Sequence, residues 1–219
     1  MACRVTAAVR ECYALTHDII ELVKNSENTT LTLLRWGGAA AVFGGLSYGA
    51  AGYLDRPGMS GYVSALVSIL SVATPALFMG GLMGLRPRLP LGGESSFVSG
   101  TGFVMGCLGA VLGVIVSVIN AVGLERTFWR LASLGSWWWA LLFAGLTLMG
   151  MAMLLKEEPR RLGAMVLTSS MLGWVSLLSD PAFPGALVPM RPIHVALAAM
   201  FCLSSVVWGW VLIDEGYET

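Results

Sequence analysis

The residues best suited to chemistry flank one proline-rich segment in the last quarter of the chain. Asp180 opens this segment, and Arg191 and His194 close it. Carboxylate and imidazole groups are common acids and bases at neutral pH, and a guanidinium binds anions. We therefore take these three residues as a candidate ligand-binding site. The alternative is ordinary solvated loop charge, because further charged residues are expected on the same side of the protein: Asp55, Arg56, Glu125, Arg126 and Arg130.

Patterns for metal binding and nucleotide binding are missing from the chain. It has no HExxH motif and no GxxxxGK[ST] motif, and its cysteines form no CxxC pair. His17 lies in the N-terminal segment, far from His194. This separation excludes a haem held between two histidines inside the membrane. We expect no cofactor and no metal, and we lean against an enzyme.

Six long stretches without charged side chains indicate which elements must position any site. A helix needs roughly 20 apolar residues to cross a bilayer core, and in lipid only helices or closed barrels satisfy the backbone. Composition agrees, since 56% of the residues are hydrophobic and 12% are charged, about half the usual charged share. We predict an all-α membrane protein with six transmembrane helices, at 34–54, 61–85, 97–122, 134–155, 162–179 and 194–213.

Basic residues near the predicted helix ends favour one orientation. The N-terminal side carries Lys24, Arg35, Arg86, Arg88, Lys156, Arg160 and Arg161, and the opposite side carries Arg56, Arg126, Arg130 and Arg191. Cytoplasmic loops are enriched in Lys and Arg, so we predict that both termini are cytoplasmic. In composition, the Gly-, Ala-, Leu- and Val-rich helices resemble multi-span proteins of high-GC bacteria. We therefore expect the bacterial cytoplasmic (inner) membrane.

The N-terminal segment, residues 1–30, is predicted to be separate from the membrane domain, residues 31–219. Apolar residues recur in it at three- and four-residue steps, which is typical of an amphipathic helix: Val5, Val9, Cys12, Leu15, Ile19, Leu22 and Val23. We expect a break at 26–30, with Thr29 or Thr30 capping the first span. The helix is expected to lie on the membrane surface or on cytoplasmic loops, with partner binding as the alternative.

Small residues at four-residue spacing are the strongest local signal in the predicted spans. Such columns let helix backbones approach closely in lipid, where no hydrophobic force drives helices together. We predict a tight Gly/Ala-packed bundle, with packing residues Gly37, Ala41, Gly45, Gly49, Ala76, Gly80, Gly84, Gly102, Gly106, Gly109 and Gly113. A sharper hypothesis is that one column faces another chain. Three hairpins, 34–85, 97–155 and 162–213, are candidates for an internal repeat.

Polar side chains inside the predicted spans are few and uncharged. Those nearest the middle are Thr74, Ser169, Ser170 and Ser204. Ion-coupled transporters and voltage sensors usually need ionisable groups there, so their absence counts against both classes. We interpret the tryptophans near the span ends, including 137–139 and Trp208, as interfacial anchors.

Three functional hypotheses remain, in decreasing order of support. The first is a non-catalytic membrane protein that packs against protein or lipid partners, as an accessory subunit, assembly factor or regulator. The second is a small transporter or channel for an uncharged solute or lipid, and the third is a membrane enzyme that uses the residues around Asp180 and His194. Homo-oligomerisation is compatible with the first. A net charge of zero argues against nucleic acid as a partner.

Overall fold

The computed structural model is built from helices throughout the part of the chain that it describes. The described residues are 2–54, 61–90, 92–124, 127–128, 134–155, 160–180 and 191–218, and among them the side chains of 2–26, 52, 191, 192 and 218 are not described. The helices are α1 (Ala2–Leu54), α2 (Gly61–Leu85), α3 (Gly93–Ala121), α4 (Trp137–Leu154), α5 (Arg160–Ser179) and α6 (Arg191–Glu218), with a 3-10 turn at Arg86–Arg88.

Five of these helices, α2 to α6, are long and apolar enough to cross a membrane. The all-α membrane class is therefore confirmed, and the predicted limits of these five spans lie within a few residues of the helix ends. The first predicted span, 34–54, is different. It forms the C-terminal part of α1, which is not among the five, because Arg35 and several glycines make it less apolar than the others.

The six helices form a closed ring in chain order. Each packs against the next, and α6 returns to pack against α1. Close contacts give antiparallel registers around the ring: Gly37 lies against Gly84, Gly106 lies against Leu82, and Ser169 bonds to Ser204. Each predicted hairpin is thus an antiparallel pair of neighbours, although the proposed sequence repeat stays a prediction.

The predicted break at 26–30 is wrong. Helix α1 runs without interruption from Ala2 to Leu54, so neither Thr29 nor Thr30 begins a helix. This segment has neither proline nor glycine, the two residues that most disfavour a helix interior. The Thr32 hydroxyl donates to the Asn28 carbonyl oxygen at 2.7 Å, an i to i−4 bond within the helix. The amphipathic character of residues 4–24 rests on side chains outside the described set.

Large aromatic rings fill the axis of the ring. Tyr48 of α1 and Trp139 of α4 have centroids 4.6 Å apart, although these helices stand on opposite sides. Phe78 of α2 and Phe201 of α6 also meet, at 5.6 Å, and Phe143 lies 5.2 Å from Phe201. We call these five residues the aromatic plug. It closes the axis at the level of these side chains.

The packing of three tryptophans against the core shows that their interpretation as interfacial anchors is wrong. Trp138 is 6% exposed and Trp139 packs on the core, so only Trp137 of this triplet faces outward. Trp208 is 1% exposed and lies against Gly81. These indoles face the ring interior because the space between helices there needs large side chains.

The predicted small-residue columns lie mostly between neighbouring helices. A Cβ atom on Gly37 would meet the Gly84 backbone, and one on Gly102 would lie 2.8 Å from the Gly145 carbonyl oxygen. The other close contacts are those of Gly80 with Ala40, Gly109 with Leu142 and Gly113 with Trp138. Ala41 is fully buried, and Gly49 touches Cys202 more loosely. Ala76 does not fit the pattern, because it is exposed.

Replacing Gly45 tests whether these contacts hold the ring together. A Cβ atom there would lie 2.9 Å from the Cys202 carbonyl oxygen and 3.2 Å from the Ser205 Cβ atom. We expect Gly45→Leu to lower the free energy of unfolding in detergent by about 1–3 kcal/mol, the usual cost of overpacking. The control is Leu46→Ala, because Leu46 is 54% exposed and should change stability by about 0.5 kcal/mol or less. Equal stability of both variants would contradict this prediction.

Candidate functional site

The candidate site predicted around the proline-rich segment is only partly described. Asp180 directly follows α5, and His194 lies in the first turn of α6. Arg191 is the first residue of α6, but its side chain lies outside the described set. The other charged residues predicted on this side also lie outside the described set: Asp55, Arg56, Glu125, Arg126 and Arg130.

His194 is held against the end of the neighbouring helix α5. Its Nδ1 atom lies 2.9 Å from the Ser176 carbonyl oxygen and 3.4 Å from the Ser176 hydroxyl oxygen. A carbonyl oxygen can only accept, so Nδ1 carries a proton in this contact. Ser176 lies in the last turn of α5, where carbonyl groups lack amide partners, and its carbonyl oxygen also accepts from the Ser179 hydroxyl at 2.8 Å. His194 therefore acts as a C-terminal cap for α5.

Asp180 directly follows α5, and its backbone N–H donates to the Leu177 carbonyl oxygen at 3.1 Å. The hydrogen bonds of His194 go to Ser176. Within the described residues, His, Cys, Asp and Glu form no group of three suited to a metal ion. The contact between His194 and Ser176 joins α5 to α6.

The hydroxyl groups predicted near mid-membrane are buried and bonded. Ser169 donates to Ser204 at 2.8 Å, and Ser170 donates to the Leu167 carbonyl oxygen at 2.8 Å. Thr74 donates to the Leu70 carbonyl oxygen at the same distance. Thr74, Ser169 and Ser170 are at most 2% exposed. These groups therefore join helices or satisfy backbone carbonyls, and they do not line a polar cavity.

A second hydroxyl network connects α4 to α5. The Trp174 Nε1–H donates to the Thr147 hydroxyl oxygen at 3.3 Å, and Thr147 lies 3.1 Å from the Ser170 hydroxyl. Thr147 also donates to the Phe143 carbonyl oxygen at 2.7 Å. Each polar atom of this set has a partner, so the network contributes to helix association.

One hydrolase-type pattern occurs in the chain, in residues 45–49, which read Gly-Leu-Ser-Tyr-Gly. In hydrolases the GxSxG serine sits on a sharp turn between a strand and a helix. Here the segment lies inside α1, and among the described residues no hydrogen bond joins Ser47 to a histidine or a carboxylate. The pattern reflects the small-residue composition of α1 and forms no nucleophile elbow.

Sequence reasoning missed a charged cluster at the other end of the bundle. Arg35 of α1 donates from Nε to the Gly216 carbonyl oxygen at 2.9 Å, and its guanidinium stacks 4.1 Å from the Tyr217 ring centroid. Arg88 Nε lies 2.9 Å from Glu215 Oε2, but its N–H is not directed at that oxygen. We call this the arginine end. A cation at the C-terminus of α6 is favoured by the helix dipole.

Comparison with models of known families, with curated proteins and with solved structures finds no match. The class of protein therefore rests on the fold itself. The chain is a helical, multi-pass type of protein with five helices suited to crossing a membrane.

The cap made by His194 can be tested without knowledge of function. We expect His194→Ala to lower the free energy of unfolding by about 1 kcal/mol, the usual net contribution of one hydrogen bond. Val195→Ala is the control, because Val195 is 59% exposed. In ¹⁵N NMR spectra, the neutral ring of His194 should carry its proton on Nδ1. Protonation on Nε2 instead would show that the bond to Ser176 does not form.

Proposed function

We propose that this chain is a non-catalytic integral membrane protein that acts by packing against protein or lipid partners. It would serve as an accessory subunit, an assembly factor or a regulator, with α1 as a sixth span. The observation that carries the proposal is the aromatic plug, in particular the 4.6 Å contact between Tyr48 and Trp139 across the axis. With its axis filled, the protein offers other molecules mainly its outer surface.

The polar groups of the interior support the same proposal. Catalysis needs an acid, base or nucleophile that can reach a bound substrate. Here the hydroxyls of Ser169 and Thr147 bond to neighbouring helices, and His194 bonds to the end of α5. These groups are used to hold helices together, which favours a structural role for them.

The transporter hypothesis receives less support from this arrangement. Transport of an uncharged solute requires a polar path that reaches the midplane from one side at a time. Thr74, Ser169 and Ser170, the predicted lining of such a path, are buried and bonded. The enzyme hypothesis has the least support, because the Nδ1 atom of His194 is engaged by Ser176.

A protein partner is best accommodated on the first half of α2. No residue from Gly61 to Ala73 is buried, in contrast to the second half of the same helix, where Phe78, Leu82 and Leu85 are in the core. A Cβ atom on Gly61 would meet nothing within 4 Å, and Ala65 is exposed. Small residues on an exposed helix face favour close packing with another helix.

Purification in mild detergent tests the proposed function. We expect either co-eluting proteins or self-association of the full chain, and loss of this association in Ala65→Phe, because the added ring would hold the second helix away. The matched control is Ala164→Phe, which adds the same ring to an exposed position on α5. A strictly monomeric species without partners would contradict the proposal. Equal loss in both variants would place the contact elsewhere.

The proposed orientation has both termini in the cytoplasm of a bacterium. Cys3 and Cys12 should then react with a membrane-impermeant thiol reagent in inside-out vesicles but not in intact cells. Thr127→Cys supplies the control, because Thr127 is exposed and follows α3 at the opposite end. Its labelling should show the reverse pattern. Labelling of Cys3 and Cys12 in intact cells would reverse the orientation.

A further inference from the structure

An open groove runs along the outer side of α3 near its start. It is shallow and open, with a volume of about 480 Å³. Its lining is Ser96, Phe97, Gly100, Thr101, Val104 and Met105. Gly100 forms the notch, because it is exposed and a Cβ atom there would meet nothing within 4 Å. Phe97 is 78% exposed and Val104 is 56% exposed, so both walls are apolar and open to the surroundings.

A cation borders this groove. Arg86 follows the last residue of α2, and its guanidinium carbon lies 5.8 Å from the centroid of the Phe103 ring on α3. Four residues of α3 share one helix face, because they follow each other at four-, three- and four-residue steps: Ser96, Gly100, Phe103 and Cys107. Arg86 therefore lies on the same face as the notch at Gly100.

The charge of Arg86 is not balanced by an acid in the described part of the chain. Arg88, two residues further on, pairs with Glu215 at 2.9 Å, and Arg35 bonds to the Gly216 carbonyl oxygen. Arg86 is exposed, and its described contacts are with the face of α3. An exposed arginine at the end of a helix reaches the level of the lipid headgroups, where an anion can pair with it.

The depth of the groove matches the level of lipid headgroups and upper acyl chains. Helix α3 has 29 residues and is therefore about 43 Å long at 1.5 Å per residue, against a hydrocarbon core of about 30 Å. Its first turns, which include Ser96 and Phe97, thus extend toward the interface. A phosphate held by Arg86 would place the upper part of its acyl chains along the groove.

We propose that this groove binds one anionic phospholipid from the leaflet at the arginine end. Arg86 pairs with the phosphate, since a guanidinium offers two parallel donors to such a group. One acyl chain lies over Gly100, between Phe97 and Val104. This lipid would be one partner of the kind that the proposed function requires. The lipid site rests on the proposed function in one respect, namely that the chain lies in a membrane.

Native mass spectrometry of the full chain in detergent, with added phosphatidylglycerol or phosphatidylcholine, tests the site. We expect phosphatidylglycerol to bind more tightly, and Arg86→Gln to weaken its binding about tenfold, the effect of losing roughly one charge-assisted hydrogen bond. Gly100→Leu should weaken binding of both lipids by filling the notch. The controls are Arg160→Gln and Ala164→Leu, which change exposed residues of α5 at the same end, and neither should alter binding.

The outcomes separate this site from general lipid attraction. Equal binding of the two lipids to the unchanged protein would overturn the proposal, as would unchanged binding in Arg86→Gln or equal weakening in Arg160→Gln. Thermal unfolding of each variant checks that it is folded. If Arg86→Gln does not fold, Arg86→Lys replaces it, because lysine keeps the positive charge. We expect a folded Arg86→Lys protein to retain the preference for phosphatidylglycerol. Loss of that preference would count against a role for the charge. A chain that binds phosphatidylglycerol but has no protein partner would keep the lipid site and limit the proposed function to lipid partners.

Discussion

Six helices that pack side by side in a ring enclose an axis that no helix occupies, and the fold depends on how that space is filled. Neighbouring helices alone cannot fill it. Contacts across the axis do so, through Tyr48 and Trp139 from opposite helices and through Phe78 and Phe201. Offset and edge-to-face contacts between aromatic rings are favourable beyond the area that they bury. The closed ring and the filled axis therefore support each other.

Residue size follows from this geometry. Where two neighbouring helices touch, the residues are small, as for Gly37 with Gly84 and Gly145 with Gly106. Toward the axis the residues are large, and a large ring often requires a glycine opposite it. Trp208 lies against Gly81, where a Cβ atom would be 3.0 Å from the ring. The indole Nε1–H of Trp208 has no acceptor among the described residues, which indicates that this side chain is placed there for its volume.

The sequence allowed the helices to be located because charge is excluded from lipid. The limits of α2 agree with the predicted span 61–85, since charged or proline residues stand on both sides of it. The same reasoning failed for 26–30, where polar residues continue a helix outside the ring, because polarity alone does not end a helix. It also failed for Trp139, because an indole that favours an interface also fits an axis lined by other rings.

The candidate site was less predictable for a physical reason. The contact between His194 and Ser176 depends on the register of α5 against α6, and that between Arg86 and Phe103 depends on the register of α2 against α3. Neither register can be derived from the spacing of residues within one helix.

The two ends of the bundle solve the same problem with different groups. The last carbonyl groups of a helix lack amide partners, and a donor from a neighbouring helix can satisfy them. His194 does this for α5, and Arg35 does it for α6. His194 lies in the first turn of α6 and Arg35 lies within α1, and each cap joins two neighbouring helices. These two polar side chains are thus engaged in closing the ring.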